Sequence, residues 1–209
     1  MGGGLLPGPR TGLDDAGAVD AGTLARIGSP APGAVGAGAK GSGSKTPAES
    51  LADAIVSYAV HHLGHHVPDG QCFALVDQAL REAGARSAAD FGPVVPDGDY
   101  IWGTEVTLAS LRRGDIVQFR DYTCQTVVVA EVSEGTRTDE RLEGRLHHTA
   151  IVEEVGADGA VTVIEQNSPP GAPVVRTTLF FRSGQTESGG RTTTVTVSGT
   201  LWFFRPQPQ

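Results

Sequence analysis

Residues 147–167 read His147-His148-Thr149-Ala150-Ile151-Val152-Glu153-Glu154-Val155-Gly156-Ala157-Asp158-Gly159-Ala160-Val161-Thr162-Val163-Ile164-Glu165-Gln166-Asn167. Two apolar, β-branched runs flank Asp158-Gly159, a turn signal between strands. If the runs pair as an antiparallel hairpin, the start of the first lies beside the end of the second. His148 then comes next to Glu165 or Asn167. Side chains alternate along a strand, so Glu165 and Asn167 share a face while Gln166 points away. His148 shares a face with Ala150, and His147 points the other way. A histidine beside a polar partner is a base held in one tautomer, which is what a nucleophile needs from its neighbour. Both partners stay open, with Glu165 preferred because a carboxylate also stabilises the imidazolium.

The nucleophile is sought where a helix begins. Thr46-Pro47-Ala48-Glu49 matches a capping box with proline at the first helical position. Leu51, Ala54, Ile55, Tyr58 and Ala59 follow at helical spacing, and Gly64 is a stop signal. The turn Val67-Pro68-Asp69-Gly70 leads into a second helix over about Gln71–Ala83 with Phe73, Val76, Ala79 and Leu80 on its apolar face. Cys72 sits in the first turn of that helix. There the positive end of the helix dipole favours the thiolate, and free N–H groups can hold an oxyanion. Gln71 adds a side-chain amide donor beside it. Taken by itself, Cys72 also reads as a small buried residue near a helix start.

Phe91–Gly103 is rich in Pro, Gly and Asp and reads as an irregular loop carrying Tyr100, Ile101 and Trp102. Strand-like text then dominates: Asp115–Arg120, Gln125–Val132, His147–Val155, Val161–Gln166, Val174–Phe181 and Thr192–Phe204. A polar stretch from Ser133 to Gly144 interrupts the series. Helices first, strands afterwards and no βαβ alternation predict an α+β fold, with the N-terminal helices packed on an antiparallel sheet. No internal repeat is present.

Composition bounds the rest. Thirteen of the 29 glycines fall within the first 46 residues, among Ala, Pro and Ser and without apolar period. Residues 1–45 therefore read as a disordered Gly/Ala/Pro-rich tail, and residues 46–209 as one domain. The formal net charge of −8, with no run of Lys or Arg, excludes a nucleic-acid surface. No stretch approaches the ~20 apolar residues of a spanning helix, and the N-terminus lacks the pattern of a signal peptide. A cytoplasmic protein is expected, with no membrane partner. Two cysteines do not form a disulfide framework in a chain of this length, and a reducing interior keeps a thiol reactive.

Gly70-Gln71-Cys72 opening a helix, Gly114-Asp115-Ile116-Val117, His148-Thr149-Ala150-Ile151-Val152 and Val163-Ile164-Glu165-Gln166-Asn167 resemble, in this order, the signature of CHAP domains. These are cysteine, histidine-dependent amidohydrolases and peptidases of the papain-like superfamily, related to NlpC-type hydrolases. The resemblance implies a papain-like fold, Cys72 as nucleophile, His148 as base, and Glu165 with Asn167 as its polar partners. A closer likeness spans nearly the whole domain. Ala88-Ala89-Asp90-Phe91-Gly92, Asp99-Tyr100-Ile101-Trp102-Gly103, Gln118-Phe119-Arg120-Asp121-Tyr122 and Gly199-Thr200-Leu201-Trp202-Phe203-Phe204-Arg205-Pro206 join the earlier motifs. Together they are similar to the C-terminal cysteine-protease-fold domain of fungal myosin-tail-interacting, cortical-actin proteins. The stretch from Arg120 to Leu146 is long for a compact CHAP domain.

The expected chemistry is hydrolysis of an amide, in a peptide or a peptidoglycan-like substrate, through an acyl-enzyme on Cys72. Gln71 and the Cys72 N–H would hold the oxyanion, with no metal or organic cofactor. The alternative is a catalytically silent domain of the same fold that binds a protein partner. Oligomeric state is not legible in the chain. Trp102 is read as core or as a wall of the substrate groove, Cys124 as a half-buried structural thiol, and Asp115 as a turn residue bonding backbone N–H groups. His61, His62, His65 and His66 suggest a metal site by spacing, but Gly64 breaks the helix between the pairs and no carboxylate or thiol completes a set.

Overall fold

The computed structural model describes residues 46–209, so the segment read as a tail lies outside the described residues. Helix α1 spans Pro47–His61. Thr46 Oγ1 accepts the Glu49 N–H while the Glu49 carboxylate accepts the Thr46 N–H, satisfying donors that the first turn leaves orphaned. Helix α2 spans Cys72–Glu82, and its N-cap residue Gln71 makes no side-chain capping bond. The strands are β1 (Thr104–Val106), β2 (Ile116–Val132), β3 (Gly135–Val155), β4 (Ala160–Glu165), β5 (Val175–Phe180), β6 (Gly184–Ser188) and β7 (Arg191–Arg205). These strands pair antiparallel throughout, in the order β1-β7-β2-β3-β4-β5, with β6 on the other part of β7.

The apolar runs of the central strands are continuous because both faces of the sheet are buried. Ile116, Ile151 and Ile164 face the helices and pack with Ile55, Val56, Leu75, Val76 and Leu80. Their chain neighbours Val117, Ala150, Val152 and Val163 point into a second core with Phe119, Tyr122, Leu179, Phe181 and Phe203. Fully burying one such Ile, Leu or Phe contributes about 1.5–3 kcal/mol. The sheet curls around this second core far enough for the Tyr122 hydroxyl of β2 to donate to the Phe180 carbonyl of β5 at 2.7 Å.

The polar stretch from Ser133 to Gly144 does not interrupt the strands. Ser133 and Glu134 form a tight turn, and β2 and β3 pair without a break in register from Val132↔Gly135 to Ile116↔Ile151. This part of β3 is exposed on both faces, so its residues carry no apolar alternation, and ion pairs such as Arg141–Glu143 run along it. The β2–β7 register shifts between Arg120 and Thr123, where Asp121 has φ 52°. Opposite it, Gly199 (φ 92°) lies so close that a Cβ would strike the Asp121 carbonyl. Gly114, in the Gly-Asp-Ile-Val motif, lets the chain pass against Ala52 of α1. Asp115 then accepts the Arg112 N–H at 2.9 Å and pairs with Arg205, the structural role read for it.

Candidate active site

The site forms where the N-terminus of α2 meets β3 and the end of β4. The turn before α2 takes Asp69 and Gly70 through positive φ (67° and 72°), which starts the helix at Cys72. The helix start is anchored from an unexpected side. Gln166, fully buried, accepts the Val67 N–H on Oε1 at 2.6 Å and donates from Nε2 to the Gln71 carbonyl at 2.9 Å. The residue expected to point away from His148 does so, and its side chain ties the start of α2 to the end of β4.

His148 and Glu165 meet in the interior, with side chains 6% and 0% exposed. Their hairpin pairs Ile151 with Ile164 and Val152 with Val163, then shifts register before Glu154↔Thr162. His148 Nε2 lies 3.0 Å from Glu165 Oε2. The ring is nevertheless turned so that Nε2 has no partner in hydrogen-bonding alignment. Catalytic contacts in unliganded sites are commonly this loose and tighten around substrate. Glu165 is also gripped by Arg145, whose Nε and Nη2 donate to Oε2 and Oε1 at 2.9 and 2.6 Å. Asn167, the competing partner, does not contact His148. It sits at φ 66°, accepts the Gly171 N–H on Oδ1 at 2.7 Å, and donates from Nδ2 to Gln71 Oε1 at 3.1 Å. That contact holds the carbonyl end of the Gln71 side chain and leaves the amide end as donor.

Electrostatics follow from these placements. Burial pushes the Cys72 thiol up, but hydrogen bonding and charge from His148, with backbone hydrogen bonds from Thr149 and Phe73, outweigh it and hold the thiol below its ordinary value. Burial works against the His148 imidazolium, yet the proximity and charge of Cys72 and Glu165 raise it to about 9. Burial opposes the Glu165 carboxylate as well, and His148 and Arg145 together bring it down to about 2. A thiolate and an imidazolium therefore favour one another over a carboxylate that stays ionised.

The cleft above Cys72 encloses about 840 Å³ between Gln71–Phe73, Tyr100, the β3 residues Glu143–His148, and the turn Asn167–Pro170. Its loop wall is pinned by Arg120, which bonds Asp97 and Asp99, and by His147, which lies 3.1 Å from Asp97 Oδ1 and 2.7 Å from the Gly98 carbonyl. Trp102 does not line this cleft. It is fully buried, donates from Nε1 to Gln118 Oε1 at 3.1 Å, and packs on Phe73 and Tyr100, so the groove reading for it is withdrawn. Cys124 is buried within β2, at 3% exposure, rather than half-buried at a strand start. Among the described residues no group of His, Cys, Asp or Glu is arranged to hold a metal ion, and His62 Nδ1 instead contacts the Tyr58 carbonyl at 2.8 Å. Also among them, no helix is long and apolar enough to cross a membrane.

A cysteine, a histidine and a carboxylate stand around a helix N-terminus beneath a cleft, on a fold of the cysteine proteinase kind. The family model of the AIM3/BBC1 cysteine proteinase-fold domain matches residues 45–208, and the chain belongs to that family. Among solved structures, one titled "The crystal structure of Ly7917" is similar at 16% identity with a TM-score of 0.38. That match covers 71% of this chain, which spans 62% of the length of the other. A search of curated proteins found no match.

Proposed function

We propose that the domain is a cysteine-dependent amidohydrolase or peptidase of the papain-like, CHAP/NlpC kind. The observation that carries this reading is the convergence on one cleft of Cys72, at the start of α2, and His148, whose Nε2 lies 3.0 Å from the buried Glu165 carboxylate. A scaffold has no physical need for a thiol at a helix start, an imidazole and a buried carboxylate gathered at one cleft, whereas nucleophilic catalysis needs all of them.

In the reaction, the Cys72 thiolate attacks the carbonyl carbon of a bound amide. The oxyanion is held by the Cys72 N–H, which has no intrahelical acceptor at the first helical position, and by the Gln71 side-chain amide. The His148 imidazolium gives its proton to the leaving nitrogen, the C–N bond breaks, and the acyl group stays on sulfur as a thioester. His148, now neutral, takes a proton from water, whose oxygen attacks the thioester and releases the acid and the thiolate. Glu165 holds the imidazole in place and stabilises its charged form. The open, mixed-charge cleft suits an amide within a peptide or a peptidoglycan-like strand, and the site residues need no cofactor for this sequence of steps.

The deciding experiment is alkylation of Cys72 by iodoacetamide across about pH 4 to 9, in the native chain and in His148→Ala. Fast labelling far below the ordinary thiol range, lost with His148, supports an activated nucleophile. Labelling that follows an ordinary thiol and ignores His148 overturns the enzyme reading in favour of a silent domain that binds a protein partner through the same cleft.

A further inference from the structure

Arg145 stands out because it is a buried cation that the hydrolytic steps above leave without a task. Its side chain is 6% exposed and every nitrogen of the guanidinium is engaged: Nε and Nη2 on the two oxygens of Glu165, Nη1 on Glu143 Oε2 at 3.1 Å and on the Gly144 carbonyl at 2.8 Å. Burying such a pair costs both ions their hydration, and apolar side chains of similar volume commonly serve stability as well or better. Stability alone therefore does not account for an arginine at this position. Its partner does: Glu165 Oε2 has two cationic neighbours, Arg145 Nε at 2.9 Å and His148 Nε2 at 3.0 Å.

We propose that Arg145 is a positioning residue of the site: its two-pronged grip sets the plane of the Glu165 carboxylate so that Oε2 meets His148, and its charge limits how tightly that carboxylate holds the imidazolium. The inference rests on the hydrolase reading for its catalytic meaning. The guanidinium fork matches both oxygens of a carboxylate at once, which a lysine, as a point charge, cannot do. The four groups also alternate in sign from Arg145 through Glu165 and His148 to Cys72. A buried carboxylate with His148 as its sole cation would stabilise the imidazolium further. An acid held that strongly hands its proton to a leaving amine more slowly. Arg145 takes up part of the carboxylate's field and keeps the histidine able to cycle.

The test follows the His148 ring by NMR from about pH 5 to 10 in the full chain, in a Cys72→Ser background so that no thiolate titrates with the imidazole. The other five of the six histidines serve as internal controls. Arg145→Met is expected to raise the His148 midpoint by about one pH unit, a tenfold gain in proton affinity, while Glu165→Gln lowers it. Arg145→Lys keeps the charge, so its midpoint stays near that of the parent. In the Cys72-containing chain it slows alkylation of Cys72 severalfold, because the fork is gone. A folded Arg145→Met whose midpoint is unchanged or lowered overturns the proposal. Should that variant not fold, Arg145→Lys decides, and alkylation at the parent rate overturns the grip. A native Cys72 that alkylates as an ordinary thiol would sink the hydrolase reading instead, while the coupling from Arg145 through Glu165 to His148 would still be read by the titration.

Discussion

Glu165 Oε2 lies 3.0 Å from His148 Nε2, and the neighbouring Asn167 turns away to hold the Gln71 side chain. Two residues at the same strand end, expected to compete for one histidine, thus hold different partners, His148 and Gln71. Replacement separates their effects. Glu165→Gln keeps shape but removes the charge that raises His148, so Cys72 alkylation at about pH 6 should fall at least tenfold. Asn167→Ala should leave that rate within about twofold and lower amide turnover instead, through a loosened Gln71 donor. A rate series at one pH with both variants checks this.

The pH profile of the native site should be bell-shaped. The thiol is held below its ordinary value, so the thiolate forms well before neutral thiols ionise, and the imidazolium is lost as pH rises through about 9. Hydrolysis of a responsive amide substrate should rise on an acid limb that lies below the ordinary thiol range and fall on an alkaline limb near 9. Both limbs belong to the coupled pair, and His148→Gln should abolish the alkaline one.

Acid stability is tied to the same carboxylate. Glu165 is lowered from 4.5 to about 2 in the folded chain, so its contribution is complete above 4.5 and is lost as pH falls from there through about 2. The shift corresponds to something on the order of 3 kcal/mol. Urea unfolding at pH 6 and pH 3 should show the larger part of that loss, about 2 kcal/mol, in the parent. In Glu165→Gln the loss between the two values should shrink markedly.

Gln166 is predicted to matter to both folding and reactivity. Gln166→Leu leaves the buried Val67 N–H and one bond of the Gln71 carbonyl without their partner, at about 1–3 kcal/mol for each group left unsatisfied. Urea midpoints should drop accordingly, and Cys72 alkylation should slow in the still-folded protein because its helix start is no longer fixed. An unchanged alkylation rate beside a lowered midpoint would show that the anchor is only structural.

The parts of the fold legible in sequence were those with a strong local signal. The capping box at Thr46, the turn before Cys72 and the apolar runs around Asp158-Gly159 each carry their own geometry, and the structure starts α1 at Pro47, α2 at Cys72 and turns between β3 and β4 there. The hairpin arm was hidden because Thr136–Gly144 is strand without a core to alternate against. β6 was missed for the same reason, being exposed at all five positions. Arg145 follows directly on that arm, opposite Tyr122 of β2, and carried no local signal because its partner Glu165 lies on another strand. Gln166 carried no local signal beyond following a buried strand, since its partners at Val67 and Gln71 are nearly a hundred residues away in sequence. Trp102 lay in an irregular loop, where nothing local separates a groove wall from a core side chain; the indole N–H bond to Gln118 decides it.

Glu165, Gln166 and Asn167 are consecutive, yet they reach His148, the root of α2 and the amide arm of Gln71 respectively. This tripeptide is a single mounting plate for parts that arrive from distant regions of the chain. Nothing can displace it and disturb one of those parts alone. A shift of the adjoining Ser168–Pro170 rim of the cleft would carry through to His148, to α2 and to Gln71 together.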